Sequence, residues 1–265
     1  MDKLRYKFLI KYVNRQYEKL IKDKNFFSTL KKNKLDFIGN PGYFVNDGIC
    51  FNERYLRHIH YLCLFQKFIK PKIQNEKFFM FDIGGAYGIF DKLILNNFRN
   101  ITPVIVDYSQ QLFFAFFYLS HHFPSLKINT LSEVFSLKKI SKDFFNKYDI
   151  CLIPLEKYYD INLKSNNVII INFNSFGELN KKLFDNYMNS FIIKNARFMF
   201  TVNRIDSFPS YKNNITFLDY NLSNFKKILF GISPLHDYYY ERKNIFFVKQ
   251  IPFSSRMFQF IGEKK

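Results

Sequence analysis

The sequence predicts an α/β fold, a mostly parallel sheet with helices on both faces and a helical cap at its amino end. Three observations predict it. Phe78–Phe81 is an unbroken apolar run of strand length, as a strand buried on both faces requires. Three glycines, Gly84, Gly85 and Gly88, then fall within five residues, and Ile89, Phe90, Leu93, Ile94 and Phe98 follow at helical spacing. A second apolar strand, Pro103–Val106, ends on Asp107, nineteen positions after Gly88. Strand, glycine turn, helix, strand and terminal acid make half of a mononucleotide-binding unit.

Such a turn does specific chemistry. Glycine reaches positive φ and lets a ligand approach the main chain, and an acid ending the second strand can accept ribose hydroxyls. The spacing excludes two common versions. A G-x-G-x-x-G from Gly84 would need glycine where Ala86 and Ile89 stand, and no G-x-x-x-x-G-K-[ST] occurs.

Asp82-Ile83-Gly84-Gly85-Ala86-Tyr87-Gly88 instead resembles motif I of S-adenosylmethionine (SAM) methyltransferases. With VIVDYSQQLFFAFFYLSHHFP and the later INFNSFGELN, residues 36 to 205 resemble the sugar O-methyltransferase family of bacterial surface-glycan loci. The family pattern reads EIGGGYG, then a V-D acidic end, then N-x-x-S-F-x-E-M. Here Asp82 replaces Glu, Ala86 the third glycine and Leu179 Met, and of these Ala86 is the one that bears on space for a cofactor.

The resemblance implies a Rossmann-like class I methyltransferase sheet, SAM as cofactor and a sugar hydroxyl as acceptor. It implies cofactor contacts from Asp82, Gly84, Gly85, Tyr87, Gly88, Asp107, Tyr108 and Asn172. Acceptor contacts are expected from Ser175, Asn203 and Tyr55, with Glu178, His121 and His122 as candidates for the base.

At 265 residues the chain is ample for one core. Residues 1–70 read as the helical cap and covering segment, and 71–265 as the SAM-binding domain. Aromatic residues make up 20%, with 36 Phe and no Trp, in a Lys- and Asn-rich background. That background matches AT-rich coding bias, which by itself accounts for a net charge of +18. The competing reading is a polyanionic partner: nucleic acid, acidic glycan or an anionic membrane touched peripherally. The lysines are scattered rather than clustered, which favours coding bias and a glycan acceptor over specific nucleic-acid binding. Nothing indicates the oligomeric state.

Cys50, Cys63 and Cys151 are odd in number, lack metal spacing and lie among apolar residues, so they read as reduced thiols, and no metal is expected. Neither a signal-peptide h-region nor an apolar run of about 20 residues is present, so the expectation is a cytoplasmic protein.

In chain order, Asp2 can cap a helix from Lys3 to Lys24 whose stripe is Leu4, Phe8, Tyr12, Leu20 and Ile21. Basic and amphipathic, it reads as a cap, the alternative being a membrane-surface helix. Asp36–Phe51 is a turn-rich loop and Asn52–Ile69 a helix, on which His58 and His60 are two apart and do not share a face. Gln110–Ser120, apolar nearly all round, predicts a buried helix. His121 and His122 at its end suit either a base or satisfaction of the last carbonyls. Leu126–Leu131 and Asp149–Ile153 compete for the third core strand, with a surface helix over Lys138–Lys147 between them.

Val168–Asn172 is a buried strand, and Ser175-x-x-Glu178 reads as a capping box for a helix carrying Leu179, Leu183, Tyr187 and Phe191. In the resembled family the same loop borders cofactor and acceptor. Arg197–Asn203 predicts the next strand and Ser207–Asn214 an acceptor-shaping loop. Ile215–Gly231 reads as a short strand with an amphipathic helix. Asn244–Ile251 and Met257–Ile261 read as the terminal hairpin with an antiparallel last strand, and His236 and Tyr238–Tyr240 could face a sugar.

The function these features predict is SAM-dependent methylation of a sugar hydroxyl. The runners-up are methylation of RNA, which lacks an N-P-P-[YF] motif here, and a catalytically degenerate scaffold.

Overall fold

The structure, a computed structural model, describes residues 3–205, 215–235, 238–242, 248–252 and 257–265, with side chains for 10–205, 215–235 and 257–265. The chain divides into two compact units, Met1–Pro71 with Asp237–Pro252 and Lys72–His236 with Phe253–Lys265.

In the first unit, the helix expected over Lys3–Lys24 is α1 (Lys3–Leu20), ending four residues early, and a second helix that was not expected, α2 (Lys24–Lys32), follows it. Asp23 makes the break. Its carboxylate accepts from Asn25 N at 2.8 Å and Phe26 N at 3.3 Å, a strong N-cap inside what had read as one helix. A hairpin, β1 (Phe44–Asn46) and β2 (Ile49–Phe51), occupies the predicted loop. It turns on Asp47 and Gly48, both at positive φ, as a two-residue hairpin turn requires. Phe51 stacks on Tyr17 of α1 at 4.4 Å. Asn52 caps α3 (Glu53–Phe68) by accepting from Tyr55 N.

The second unit runs β3 (Phe78–Ile83), α4 (Ile89–Asn97), β4 (Ile101–Asp107), α5 (Ser109–His122), α6 (Leu131–Ser136), β5 (Ile140–Ser141) and α7 (Lys142–Lys147). It continues with β6 (Cys151–Pro154), β7 (Ile161–Asn162), β8 (Val168–Phe173), α8 (Lys181–Met188), α9 (Phe191–Asn195), β9 (Phe198–Arg204) and β10 (Phe225–Ile232). Then β11 (Tyr238–Arg242) and β12 (Val248–Pro252) pair as a hairpin belonging to the first unit, and β13 (Met257–Lys264) closes the sheet.

The seven-stranded sheet has the order β10-β13-β9-β8-β3-β4-β6. From β9 to β6 all neighbours are parallel, while β13 is antiparallel to both β9 and β10. One reversed strand is slotted second from the edge of an otherwise parallel sheet, with the first strand central, in the α/β fold with an antiparallel last strand that the sequence predicted. Strand order reverses at β3, so the crevice that binds ligands in open α/β sheets lies over the carboxyl ends of β3, β4, β8 and β9.

Several local expectations are corrected. The third core strand is Cys151–Pro154, and Leu126–Leu131 contributes only an isolated bridge, Ile128 to Ile150. The closing hairpin pairs Phe225–Ile232, not Asn244–Ile251, with Met257–Lys264. Ile215–Gly231, expected as a short strand with an amphipathic helix, forms a 3-10 turn and a strand, with no helix. The helix expected through Phe191 is interrupted at Asn189 and Ser190, where Ser190 caps α9. Helix α5 is buried only along Leu112, Ala115, Tyr118 and Leu119, and four phenylalanines on its other side face solvent. The readings placed on Asp2, Ser207–Asn214 and His236, and on the side chains of Leu4, Phe8 and Tyr238–Tyr240, fall outside the described residues.

Among the described residues no helix is long and apolar enough to cross a membrane.

Candidate functional site

The glycine turn after β3 is built by strain that glycine removes and by one acid. Gly84 and Gly88 have φ of 78° and 85°, and Gly84 N continues the ladder to Val106 O at 2.8 Å. Ala86 also lies at positive φ, 51°, a conformation that costs an L-residue about 1 kcal/mol. Asp107 holds it there: one carboxylate oxygen accepts from Ala86 N at 2.8 Å, the other from Tyr108 N at 2.7 Å. A carboxylate has about four acceptor positions, so two remain, one on each oxygen, matching the two hydroxyls of a ribose. Burial holds the Asp107 carboxyl above the usual range, while its two backbone bonds pull the other way.

Below the turn is a pair of interior acids. Asp82 is 3% exposed and Asp91, in the first turn of α4, is fully buried. Among the described residues neither oxygen of Asp91 has a hydrogen-bond partner. Burial raises both carboxyls, Asp91 to about 7, and the neighbouring Asp91 raises Asp82 further. A β-carbon on Gly85 would lie 2.8 Å from the Asp82 carboxylate, so Asp82 supports the turn from beneath. Tyr87 packs edge-on against Tyr118, and Tyr108 is 54% exposed at the rim.

On the other side of the crevice Asn172, at the end of β8, is a hub. Its Nδ2 donates to Ile83 O (2.6 Å) and Ser175 Oγ (2.5 Å), and its Oδ1 accepts from Phe176 N (3.1 Å) and Asn203 Nδ2 (2.7 Å). All four of its positions are occupied inside the fold, so this expected cofactor contact clamps the glycine turn to β8 and β9.

Ser175 donates to Ile83 O as well, which diverts its hydroxyl from the predicted capping box. The segment Phe176–Glu178 is a 3-10 turn, and Asn180 caps α8 instead. Asn203 donates to Asn172 and to Thr201 Oγ1, leaving its own Oδ1 buried without a partner. Glu178 stays exposed at the lip, 3.9 Å from the Arg204 guanidinium at the end of β9.

Three candidates remain. Helix α5 begins two residues beyond Asp107, and its 14 residues carry it about 21 Å back along the sheet. His121 and His122 end this helix, where His122 packs on Tyr118, whose ring in turn meets Tyr87 of the glycine turn. Tyr55 is 2% exposed, with its hydroxyl held by Asn33 O and Lys34 O, inside the first unit.

One group went unpredicted, the tyrosine cluster Tyr158, Tyr159 and Tyr187, with ring separations of 4.7 to 6.0 Å. Burial raises the Tyr187 hydroxyl most, and the charges of Tyr158, Tyr159, Asp107 and Tyr108 raise it further. The Tyr158-Tyr159 pair just past the third strand was the available signal. Among the described residues no group of three His, Cys, Asp or Glu could hold a metal.

No family model matches the sequence, and the comparison with curated proteins gives no match. Among solved structures it is similar to a proposed RNA methyltransferase of Pyrococcus horikoshii, at 11% identity over 92% of this chain and 97% of that one, TM-score 0.45. A proposed sarcosine dimethylglycine methyltransferase of Galdieria sulphuraria is similar at 8% identity over 86% and 95%, TM-score 0.49. The O-methyltransferase family 2 protein of Planctomyces limnophilus, in complex with apigenin, is similar at 9% over 74% and 53%, TM-score 0.40. Identities this low leave the fold assignment to the strand order itself.

Proposed function

We propose that this chain binds SAM in the crevice between β3 and β8 and moves its methyl group to a sugar hydroxyl. The observation that carries the cofactor reading is Asp107. It is an acid at the end of the second core strand that still offers one acceptor position on each oxygen, beside a turn with three backbone positions at positive φ. The sheet order supports the same reading.

SAM supplies a methyl already activated by sulfonium charge, which leaves alignment to the protein. The Asn172 hub keeps the glycine turn and the loop after β8 in one geometry. Glu178, exposed at the lip, is the group suited to accept the hydroxyl proton as the new bond forms. The Arg204 guanidinium stands beside it at 3.9 Å. The sugar assignment rests on the resemblance of the loop Asn172–Glu178 to the sugar O-methyltransferase pattern, since the fold serves many acceptors.

The net charge of +18 favours a second reading, an RNA acceptor. Calorimetry with S-adenosylhomocysteine tests the cofactor. Tritiated methyl incorporation into surface polysaccharide and into total RNA, each from a strain lacking the enzyme, tests the acceptor. Label in polysaccharide that survives added salt agrees with the glycan reading, because recognition of neutral hydroxyls releases few counterions. Label confined to RNA would replace it with the RNA reading. Label in neither, with no calorimetric heat, would leave a scaffold.

A further inference from the structure

Helix α5 turns Tyr118 towards Tyr87 of the glycine turn, and its outer face is apolar and exposed. Phe113, Phe114, Phe116 and Phe117 are 66%, 57%, 41% and 62% exposed. They share one arc with Gln110 and His121, opposite Leu112, Ala115 and Leu119, which pack on β4 and β6. A helix apolar on both sides needs both sides covered. At about 200 Å² for a whole phenylalanine, the four rings leave about 450 Å² in water, the size of patch that marks an interaction site.

Charge narrows the occupant. Among the described α-helices α5 alone contains no Lys, Arg, Asp or Glu. A helix lying in an anionic lipid surface needs Lys or Arg beside its apolar face, and an acidic protein partner would be met by the same residues. α5 offers neither. In a chain of net charge +18, a face without charge is instead the one that can meet its own copy without repulsion. The area agrees, since the rings of two copies alone remove about 900 Å², near the floor of about 1,000 Å² for a specific interface.

We propose that the Phe113–Phe117 face of α5 is a two-fold interface, and that the protein is a dimer of this chain. The interface leaves the crevice at the carboxyl ends of the strands open, so it stands or falls independently of the methyltransferase reading.

Sedimentation equilibrium of the full chain, over micromolar concentrations and with phosphatidylglycerol vesicles in a parallel flotation assay, tests it. The parent should sediment at twice the mass of one chain. Phe113→Ser/Phe117→Ser should dissociate about tenfold more readily or beyond, with an unchanged far-UV spectrum. Phe117→Lys, which sets like charges across the two-fold, should do the same by a different route. A parent that is monomeric throughout, variants as dimeric as the parent, open-ended association, or flotation of the monomer with the vesicles would each overturn the proposal.

Discussion

Removing the Asp107 carboxylate should abolish cofactor binding while the fold survives. Its two oxygens each accept one backbone N–H, from Ala86 and Tyr108, and each retains one position for a ribose hydroxyl. Hydrogen bonds to a charged acceptor contribute about 1.5 to 3 kcal/mol each, so Asp107→Ala should weaken binding by about 3 to 6 kcal/mol, or 100-fold and upward. Asp107→Asn keeps one acceptor oxygen and should fall between. Ala86 and Tyr108 are open enough for water to take over their N–H groups. The unliganded variant should therefore lose only about 1 kcal/mol, or 2 to 4 °C in melting temperature. Calorimetry with S-adenosylhomocysteine, paired with thermal melts of the same samples, separates the two effects. Binding of Asp107→Ala within threefold of the parent, or a variant that no longer folds, would refute the reasoning.

Other perturbations follow from the same geometry. Asn172→Ala leaves Phe176 N without its acceptor at a buried site, removes one bond each from Ile83 O and Asn203 Nδ2, and should cost about 3 kcal/mol, read as a fall in melting temperature; a neutral result would mean that the hub holds nothing. Gly84→Ala forces a β-carbon onto Ser175 at positive φ and should cost about 3 kcal/mol, whereas Gly177→Ala, with nothing within 4 Å, should change stability by no more than about 0.5 kcal/mol. Equal effects of the two would contradict the packing.

The Asp82–Asp91 pair predicts a pH dependence. Folded carboxyls raised above their unfolded values bind extra protons in the native state, so their stabilisation is full below the unfolded value near 4 and is lost as pH climbs towards about 7. Asp91→Asn should flatten that decline in chemical denaturation and raise stability at pH 8, and an unaltered slope would count against the pair.

Legibility of the sequence followed distance along the chain. The β3–α4–β4 unit could be read because its signals lie within thirty residues: an apolar run for a strand buried on both faces, glycines where φ turns positive, a helical period, and an acid at the next strand's end. The same local patterns marked β8 and β9. They also implied the reversed last strand but mistook its partner, because two short alternating segments preceded Met257 and only pairing across the sheet could choose Phe225–Ile232.

What the tertiary structure decided was the use of each polar group. Ser175-x-x-Glu178 is a sound capping box in isolation. It fails because Ile83 O, ninety-two residues away, competes for the serine hydroxyl, and the same carbonyl turns Asn172 from a ligand contact into a clamp. His121 and His122 looked serviceable in the sequence, but His122 is turned onto Tyr118, which itself packs on Tyr87 of the glycine turn. The phenylalanines beside them met the apolar pattern of a core helix, but one sheet can cover only one side of a helix. Composition and period determine which residues avoid water. Which neighbour covers them depends on contacts between segments far apart in the chain, and these form only when the whole sheet is assembled.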